Sequence, residues 1–494
     1  MKNYSTCHSF IVTLIYDKVI LSKLLPLFLF IAQSLITIIL VIPFVTYAAL
    51  SASTASYIYG NSPEILPTVD NKILNTIKFN ILSDVGESYE FIPGSDDTIY
   101  VSYTNTPSSL SATIDFSGLD ISDIHDIDED YLAAVNGLEV KNISYEWKDF
   151  NNNIISTSST DWLGGNICKS SYKGDSSITV SFTIQANTEY GLPRLGERVI
   201  SKTFKVNAND GICYIQPGVL ALNIPNGWPE GGNNASAGSD WVNRSADPYN
   251  AEQFTRSKGF NAWAKNSNGK SFPTTAFPDA RFRIIPFGNI SNYTYQIVKN
   301  PNSALVSDVR SSNASSKSEF KFRDITPTQN ADYVFLVKNS RTKGQFYYRF
   351  SISNWVYVAS KKGNWITLTQ AKYLCASKGD RLPSRKELSN SPYTFIDFAD
   401  SLSHGNWYLR NNGFSRAIGE GVMAEWGKIF YYAPGDGNAR DMMKDVKNLR
   451  RLFDYDFYFT NEPSKTAGMN YSVGTAEGNV IVEFDSAYAM CVKY

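Results

Sequence analysis

The strongest constraint on this chain is an apolar segment near its N-terminus, which spans residues 24–45 and follows three lysines. The segment has no polar face, so it does not fit a helix of a soluble core. The small-residue pattern at 46–49 suits cleavage by signal peptidase after Ala48, whereas the apolar run is also long enough to span a bilayer. We therefore expect residues 1–48 to be a signal peptide or a membrane anchor. Either way, the lysines place the rest of the chain outside the cytoplasm.

Four cysteines follow this segment, at Cys168, Cys213, Cys375 and Cys491. An even number of cysteines in an exported chain indicates two disulfides, although several connectivities are possible. No Cys-x-x-Cys pair or Cys/His cluster of the zinc-binding kind competes with this interpretation. We predict Cys168–Cys213 and Cys375–Cys491, because the second pair then closes one proposed domain and the first lies where two others meet.

Short runs of alternating apolar and polar residues dominate the chain after a small, polar linker at residues 49–69. Alternation of this kind, seen at residues 98–103 and 177–184, predicts half-buried antiparallel strands. The many Tyr, Phe, Ser, Thr and Asn residues also favour sheets and polar turns. We predict a β-sandwich of the immunoglobulin-like type over residues 70–210 and a second β-rich domain over residues 211–353.

The second domain ends in a predicted hairpin, with strands at 333–337 and 346–352 around a turn at 339–344. From residue 354 the pattern changes to helices and loops. Thr369 is predicted to cap a helix that carries Cys375.

Ser384 and Glu387 have the spacing of a capping box at the start of a second helix. Terminal strand-like runs follow long loops. Residues 354–494 are therefore predicted to form an α+β domain.

The motifs of this last domain together resemble the C-terminal, C-type-lectin-like domain of the intimin/invasin family of bacterial outer-membrane adhesins. The residues that carry the resemblance are Ala371–Cys375, Arg381–Ser384, Glu387–Leu388, Glu425–Gly427, Tyr431–Tyr432 and Tyr488–Val492. The resemblance covers under a third of the chain and implies a C-type-lectin-like fold that binds a receptor. The upstream β-rich domains are similar to that family's immunoglobulin-like domains in kind only.

The sequence departs from the family in what precedes the β-rich domains. The short linker leaves no room for the outer-membrane β-barrel of that family, so its mode of anchoring is not carried over. The family's receptor-contacting residues are not carried over either, because no contact motif aligns with this sequence.

Several kinds of ligand chemistry lack support in the sequence. The formal net charge is −1, which gives no electrostatic basis for nucleic-acid binding. The run at 461–463 has Asn, Glu and Pro in the wrong order for a calcium-dependent sugar site. The acidic run at 126–130 begins like a calcium loop, but Tyr131 replaces the required Gly and Gly137 the final Glu, which favours a solvated acidic loop. We therefore predict no cofactor and no metal.

Catalysis is not expected either. After the export segment the only histidines are His125 and His404, and no Gly-x-Ser-x-Gly motif occurs. Carboxylate pairs do not decide the question, since Asp and Glu are scattered along the chain.

The remaining candidates are aromatic and charged residues in predicted loops of the last domain. Binding surfaces favour Trp, Tyr and Arg, so the candidate receptor-binding residues are Trp407, Tyr431, Tyr432, Asp436 and Arg440. The alternative is that Trp426 and one of the tyrosines fill the core of the domain. We predict an exported, adhesin-like protein that binds a host or other cell-surface protein. The alternatives are a carbohydrate-binding module and a structural envelope or fibre component.

Overall fold

The structure is a computed structural model in which part of the chain is described. The described residues are 59–134, 137–219, 251–255, 258–308, 317–360, 363–391, 414–427, 429–432, 457–464, 469–475, 478, 480–482 and 486–494. Contacts divide the chain into Met1–Tyr59 and Gly60–Tyr494, and the fold given below is that of the second unit. The predicted signal peptide or anchor lies outside the described residues. Within them, no helix combines the length and apolarity needed to cross a membrane.

The first segment, residues 64–207, is built almost entirely from strands. Its elements are β1 (Glu64–Ile65), α1 (Thr68–Leu74), β2 (Lys78–Leu82), β3 (Ser88–Phe91), β4 (Thr98–Tyr100), β5 (Leu110–Thr113), β6 (Ile124–His125), β7 (Leu138–Lys148), β8 (Ile154–Ile155), β9 (Gly165–Asn166), β10 (Ser171–Tyr172), β11 (Ser176–Asn187) and β12 (Leu195–Asn207).

Two sheets of the first segment enclose its core. One has the strand order β4-β12-β11-β7-β8 and the other the order β3-β2-β5. Phe79 of β2 meets Phe204 of β12 edge to face, with ring centroids 5.0 Å apart. Along β11, Ile178 and Val180 are buried while Thr179 between them points outward, as the alternation in the sequence predicts.

The end of the predicted linker is wrong. Within the predicted linker, residues 64–65 form β1 and α1 begins at Thr68. The reason is that Ile65 and Val69 are apolar and are buried against the first segment.

The second segment, residues 212–351, is also β-rich. Its strands are β13 (Ile212–Pro217), β14 (Phe254–Thr255), β15 (Gly259–Asn261), β16 (Thr275–Ala276), β17 (Arg281–Pro286), β18 (Tyr293–Lys299), β19 (Leu305–Ser307), β20 (Glu319–Phe322), β21 (Asp332–Asn339) and β22 (Gln345–Ser351). They form a sheet of order β14-β15-β13-β17-β20-β19 and a sheet of order β18-β21-β22. The predicted hairpin is confirmed as β21 and β22, which pair antiparallel.

The third segment, residues 354–494, mixes helices and strands. Its elements are β23 (Asn354–Val358), α2 (Leu368–Ala376), α3 (Arg385–Leu388), α4 (Val422–Trp426), β24 (Phe457–Pro463), β25 (Asn470–Gly474), β26 (Val480–Val482) and β27 (Met490–Lys493). Strand β23 lies between β16 and β27 in one sheet, and β24-β25-β26 form another.

Helix capping in the third segment follows the sequence with one correction. The cap of α2 is Thr367 and not Thr369, because Thr367 and Gln370 form a complete capping box. The predicted box of Ser384 and Glu387 at the start of α3 is confirmed.

The second and third segments, which the sequence divides at residue 353, share one hydrophobic core. That core includes Ile212 of β13, Trp426 of α4 and Val492 of β27. Strand pairing continues across the same boundary, since β16 pairs with β23. The strands of the three segments make the described part of the chain mainly β, as predicted. The C-type-lectin-like arrangement of the third segment stays a prediction.

A buried carboxylate helps to join the first and second segments. The Asp210 carboxylate accepts a hydrogen bond from the Tyr293 hydroxyl and another from Nδ2 of Asn339, the second at 2.7 Å. The backbone carbonyl of Asp210 accepts a hydrogen bond from the Tyr103 amide of the first segment. Burial raises the pKa of the Asp210 carboxyl, against the effect of these donors.

Candidate recognition surface

Both predicted disulfides are present. Cys375 of α2 is bonded to Cys491 of β27 with 5.4 Å between their Cα atoms, and Cys168 is bonded to Cys213 with 5.5 Å. These separations lie within the usual range for disulfides. The first bond fastens α2 to the terminal strand, and the second connects the first and second segments.

An ion pair fastens the chain terminus to α3. The Arg381 guanidinium donates to both carboxylate oxygens of Glu387, at 2.8 and 2.6 Å, and to the backbone carbonyl of Tyr494 at 2.9 Å. Burial alone would raise the pKa of the Glu387 carboxyl, but the hydrogen bonds from Arg381 and Ser384 outweigh it and lower that pKa. The Arg-Leu-Pro-Ser motif of the sequence thus holds three parts of the third segment together.

Glu425 connects the third segment to the second. Its fully buried carboxylate accepts hydrogen bonds from the amides and hydroxyls of Thr274 and Thr275, at 2.6 to 3.0 Å, and from the Gly419 amide at 2.9 Å. Burial raises the pKa of this carboxyl, although these donors act in the opposite direction. Because its lone pairs are occupied by donors of the protein, we assign Glu425 a structural role.

The prediction that Tyr432 contacts a receptor is wrong, because its side chain is 0% exposed. Its hydroxyl donates to the Trp426 carbonyl at 3.1 Å and accepts from the Val219 amide at 3.2 Å. Its ring lies 5.0 Å from that of Phe277, edge to face. Tyr432 and Trp426 therefore fill the core, which is the alternative that the sequence left open.

The other candidate residues stay predictions. Tyr431 belongs to a short 3-10 helix, Ile429–Tyr432, but its side chain is outside the described part of the structure. Trp407, Asp436 and Arg440 lie outside the described residues altogether.

Two exposed aromatic residues of the third segment were missed by the sequence analysis. Trp365, just before α2, is 51% exposed, and Tyr373 within α2 is 72% exposed. Tyr373 stands two residues from both Ala371 and Cys375, so at about 100° per residue it falls on the side of the helix opposite the core. That helical spacing is the signal that could have identified it.

Trp365 is held in place by the terminal region of the chain. Its ring meets that of Tyr488 edge to face at 6.4 Å, and the Tyr488 hydroxyl accepts a hydrogen bond from the Gly363 amide at 3.1 Å. Tyr488 in turn stacks on Tyr458, with centroids 5.4 Å apart. The exposed indole of Trp365 therefore packs against Tyr488, which is itself stacked on Tyr458.

The acidic loop of the first segment brings three solvent-accessible carboxylates close together. Carboxylate oxygens of Asp126, Asp128 and Asp130 lie within 4.8 Å of one another. The Asp128 carboxylate also accepts hydrogen bonds from the backbone amide and side chain of Asn61. Exposed acidic groups commonly cluster in this way, so we assign no metal here.

No family model matches the chain, and the comparison with curated proteins gave no match either. One similar solved structure is a C-terminal 282-residue fragment of intimin in complex with the intimin-binding domain of the translocated intimin receptor. The fragment is 11% identical to this chain, and the two have a TM-score of 0.28. The match covers 64% of this chain and 94% of that chain. An intimin mutant of EHEC O157:H7 is 12% identical, covering 45% of this chain and 89% of that chain with a TM-score of 0.23. An intimin–Tir complex is 11% identical, with the same coverage and a TM-score of 0.24. At these TM-scores the matches carry no argument, and the inferences that follow rest on the residues of this chain.

Proposed function

We propose that this chain is an extracytoplasmic, adhesin-like protein that binds a protein on the surface of another cell through its third segment. The observation that carries the proposal is the exposure of Trp365 and Tyr373 on a scaffold closed by the Cys375–Cys491 disulfide. Large aromatic side chains are the residues that most often dominate protein interfaces. Their apolar surface gains free energy when a partner removes it from water.

The proposed mechanism is presentation of a preformed surface. The shared core and the Glu425 hydrogen bonds hold the third segment against the second. Asp210 and the Cys168–Cys213 disulfide connect the second segment to the first. A surface held in one arrangement loses less conformational entropy when it binds than a mobile one does.

The location outside the cytoplasm is supported by the two disulfides. Such bonds persist in oxidising compartments and are rare in the cytoplasm. The apolar N-terminal segment and the resemblance of the third segment to intimin and invasin point in the same direction.

Adhesion is tested with beads that carry the full-length chain. We expect them to attach to cultured epithelial cells more than beads that carry a variant with Trp365→Ala and Tyr373→Ala. Circular dichroism and urea unfolding must show that the variant is folded. Equal attachment of the two bead types would assign binding to another surface, and no attachment by either would refute adhesion to these cells.

Surface location is tested on the cells that produce the protein. We expect a protease added to intact cells to remove an epitope tag placed after Tyr494. If the tag is digested only after the cells are lysed, the chain is retained inside the envelope and adhesion to other cells is ruled out.

A further inference from the structure

The exposed aromatic residues of the third segment lie in a part of the chain with a strong bias of charge. Between residues 359 and 379 the sequence has four lysines and no Asp or Glu. Lys372 precedes Tyr373 in α2 and is exposed. Lys378 is also exposed, with its Nζ 4.8 Å from the centroid of the Tyr357 ring. We call the exposed residues Thr369, Lys372, Tyr373, Ser377 and Lys378 the α2 face.

Two acidic residues of the third segment are paired with arginines of the same segment. Glu387 is held by Arg381 through two hydrogen bonds. Glu462 lies 3.4 Å from the Arg385 guanidinium. These pairs cancel their own charge, so they do not neutralise the lysines of the α2 face.

Among the described residues, Asp380 is the acidic residue that directly follows the α2 face in sequence. Its carboxylate accepts a hydrogen bond from the Tyr357 hydroxyl at 2.6 Å. One carboxylate set against Lys372 and Lys378 leaves the face with a positive charge. Opposite charge on a partner would therefore accelerate and orient its approach.

The shape of the α2 face indicates the class of partner. The outward side of a helix is convex, so its side chains diverge from one another. Small ligands and sugars are bound in concave sites with converging polar groups. An exposed, convex face that carries Tyr373, with Lys372 beside it in sequence and Lys378 just beyond the end of the helix, fits the anatomy of a protein interface, in which an aromatic residue is surrounded by a polar rim.

We propose that the α2 face binds an acidic protein surface, in which carboxylates meet Lys372 and Lys378 while an apolar group covers the Tyr373 ring. This inference rests on the proposed function and names the chemistry of its partner. Lys372 and Lys378 set the rate of association and its salt dependence, whereas burial of Tyr373 limits dissociation.

The test measures attachment of beads carrying the full-length chain to epithelial cells at several salt concentrations. A variant with Lys372→Glu and Lys378→Glu is compared with a matched control, Lys169→Glu with Lys173→Glu, two exposed lysines of the first segment. We expect the first variant to reduce the apparent affinity about tenfold or more and the control to leave it unchanged. A variant with Lys372→Arg and Lys378→Arg should bind normally, because its charge is retained.

Salt gives a readout that a structural role would not affect. At 1 M ionic strength the screening length falls to about 3 Å, so we expect the affinity of the natural chain to fall steeply with salt. The Lys-to-Glu variant should lose this dependence. Attachment that is strong but insensitive to both salt and charge reversal would overturn the acidic-partner inference while leaving adhesion itself intact.

Enzymatic treatment of the cells identifies the class of partner. We expect a protease to abolish attachment, and sialidase with heparinases to leave it unchanged. The reverse result would show that the face binds an acidic glycan and would overturn the proposal. So would salt-sensitive self-association of the purified chain that is lost with Lys372→Glu and Lys378→Glu, because a second copy would then occupy the face.

Discussion

The Glu425 carboxylate accepts two hydrogen bonds from Thr275, one from its amide at 2.8 Å and one from its hydroxyl at 2.6 Å, although 150 residues separate the two in sequence. Glu425 also accepts from Thr274, the residue before. These bonds attach α4 to the region where β16 begins. They explain in part why two segments that the sequence separates fold as one body.

Replacing Glu425 should therefore destabilise the chain. We expect Glu425→Ala to lower the free energy of unfolding by about 3 kcal/mol or more, since it leaves several buried donors unpaired. Glu425→Gln should cost less, about 1–3 kcal/mol, because one oxygen still accepts. Urea unfolding measures both, with Glu189→Ala at an exposed position as the control. A loss for Glu425→Ala no larger than for the control would contradict the structural role.

The disulfide between Cys375 and Cys491 should be a large contributor to stability. It joins residues 116 apart, and in a chain-entropy model such a loop is worth roughly 4–5 kcal/mol. We expect Cys375→Ala with Cys491→Ala to lower the free energy of unfolding by about that amount in urea. The variant with Cys168→Ala and Cys213→Ala, whose cysteines are 45 apart, should lose slightly less. A larger loss in the second variant would show that strain or packing outweighs loop length.

The Arg381–Glu387 pair should make stability depend on pH. The folded pKa of Glu387 lies below its ordinary value of 4.5, so the ionised form stabilises the folded state. This contribution is fully present above 4.5 and is lost as the pH falls through the lower, folded pKa. We expect the difference in unfolding free energy between the natural chain and Glu387→Gln to shrink as the pH is lowered from 7 to 3. A difference that is constant over this range would show that Glu387 is not ionically paired.

Substitution of two tyrosines of the third segment should affect different properties of the protein: its stability for Tyr432 and its attachment to cells for Tyr373. Tyr432→Ala should lower the free energy of unfolding by about 3–5 kcal/mol, because it opens a cavity beside Trp426. Tyr373→Ala should change it by no more than about 0.5 kcal/mol, as an exposed position does, yet should weaken attachment to cells. Urea unfolding and the bead assay separate the two effects. Normal stability for Tyr432→Ala would contradict its burial in the core.

Local features of the fold were predictable because they depend on neighbouring residues. The alternation along β11 and β12 identifies strands, since a half-buried strand exposes every second residue. The hairpin of β21 and β22 follows from its turn, and the cap of α3 follows from Ser384 and Glu387. Prediction from local sequence failed at the cap of α2, where two threonines lie close together. Thr367 has Gln370 three residues later and so forms a capping box, whereas Thr369 does not.

The surface could not be predicted in the same way. Tyr432 and Tyr373 are the same residue type in the same segment, yet one is buried and the other is 72% exposed. Helical spacing would have placed Tyr373 outward once α2 was known. No local pattern shows that Phe277, from the second segment, lies against Tyr432.

By itself, the sequence determined the β-rich class, the even number of exported cysteines that indicates two disulfides and the helix start at Ser384, because periodicity, cysteine number and capping are properties of the local sequence or the composition. Only the tertiary structure decided that the second and third segments share a core, that Glu425 holds them together, that Tyr432 is buried and that Trp365 faces solvent. The physical reason is that burial depends on side chains brought together from distant positions. An aromatic residue gains free energy equally from a core or from a partner, and only the completed fold shows which of the two is available to it.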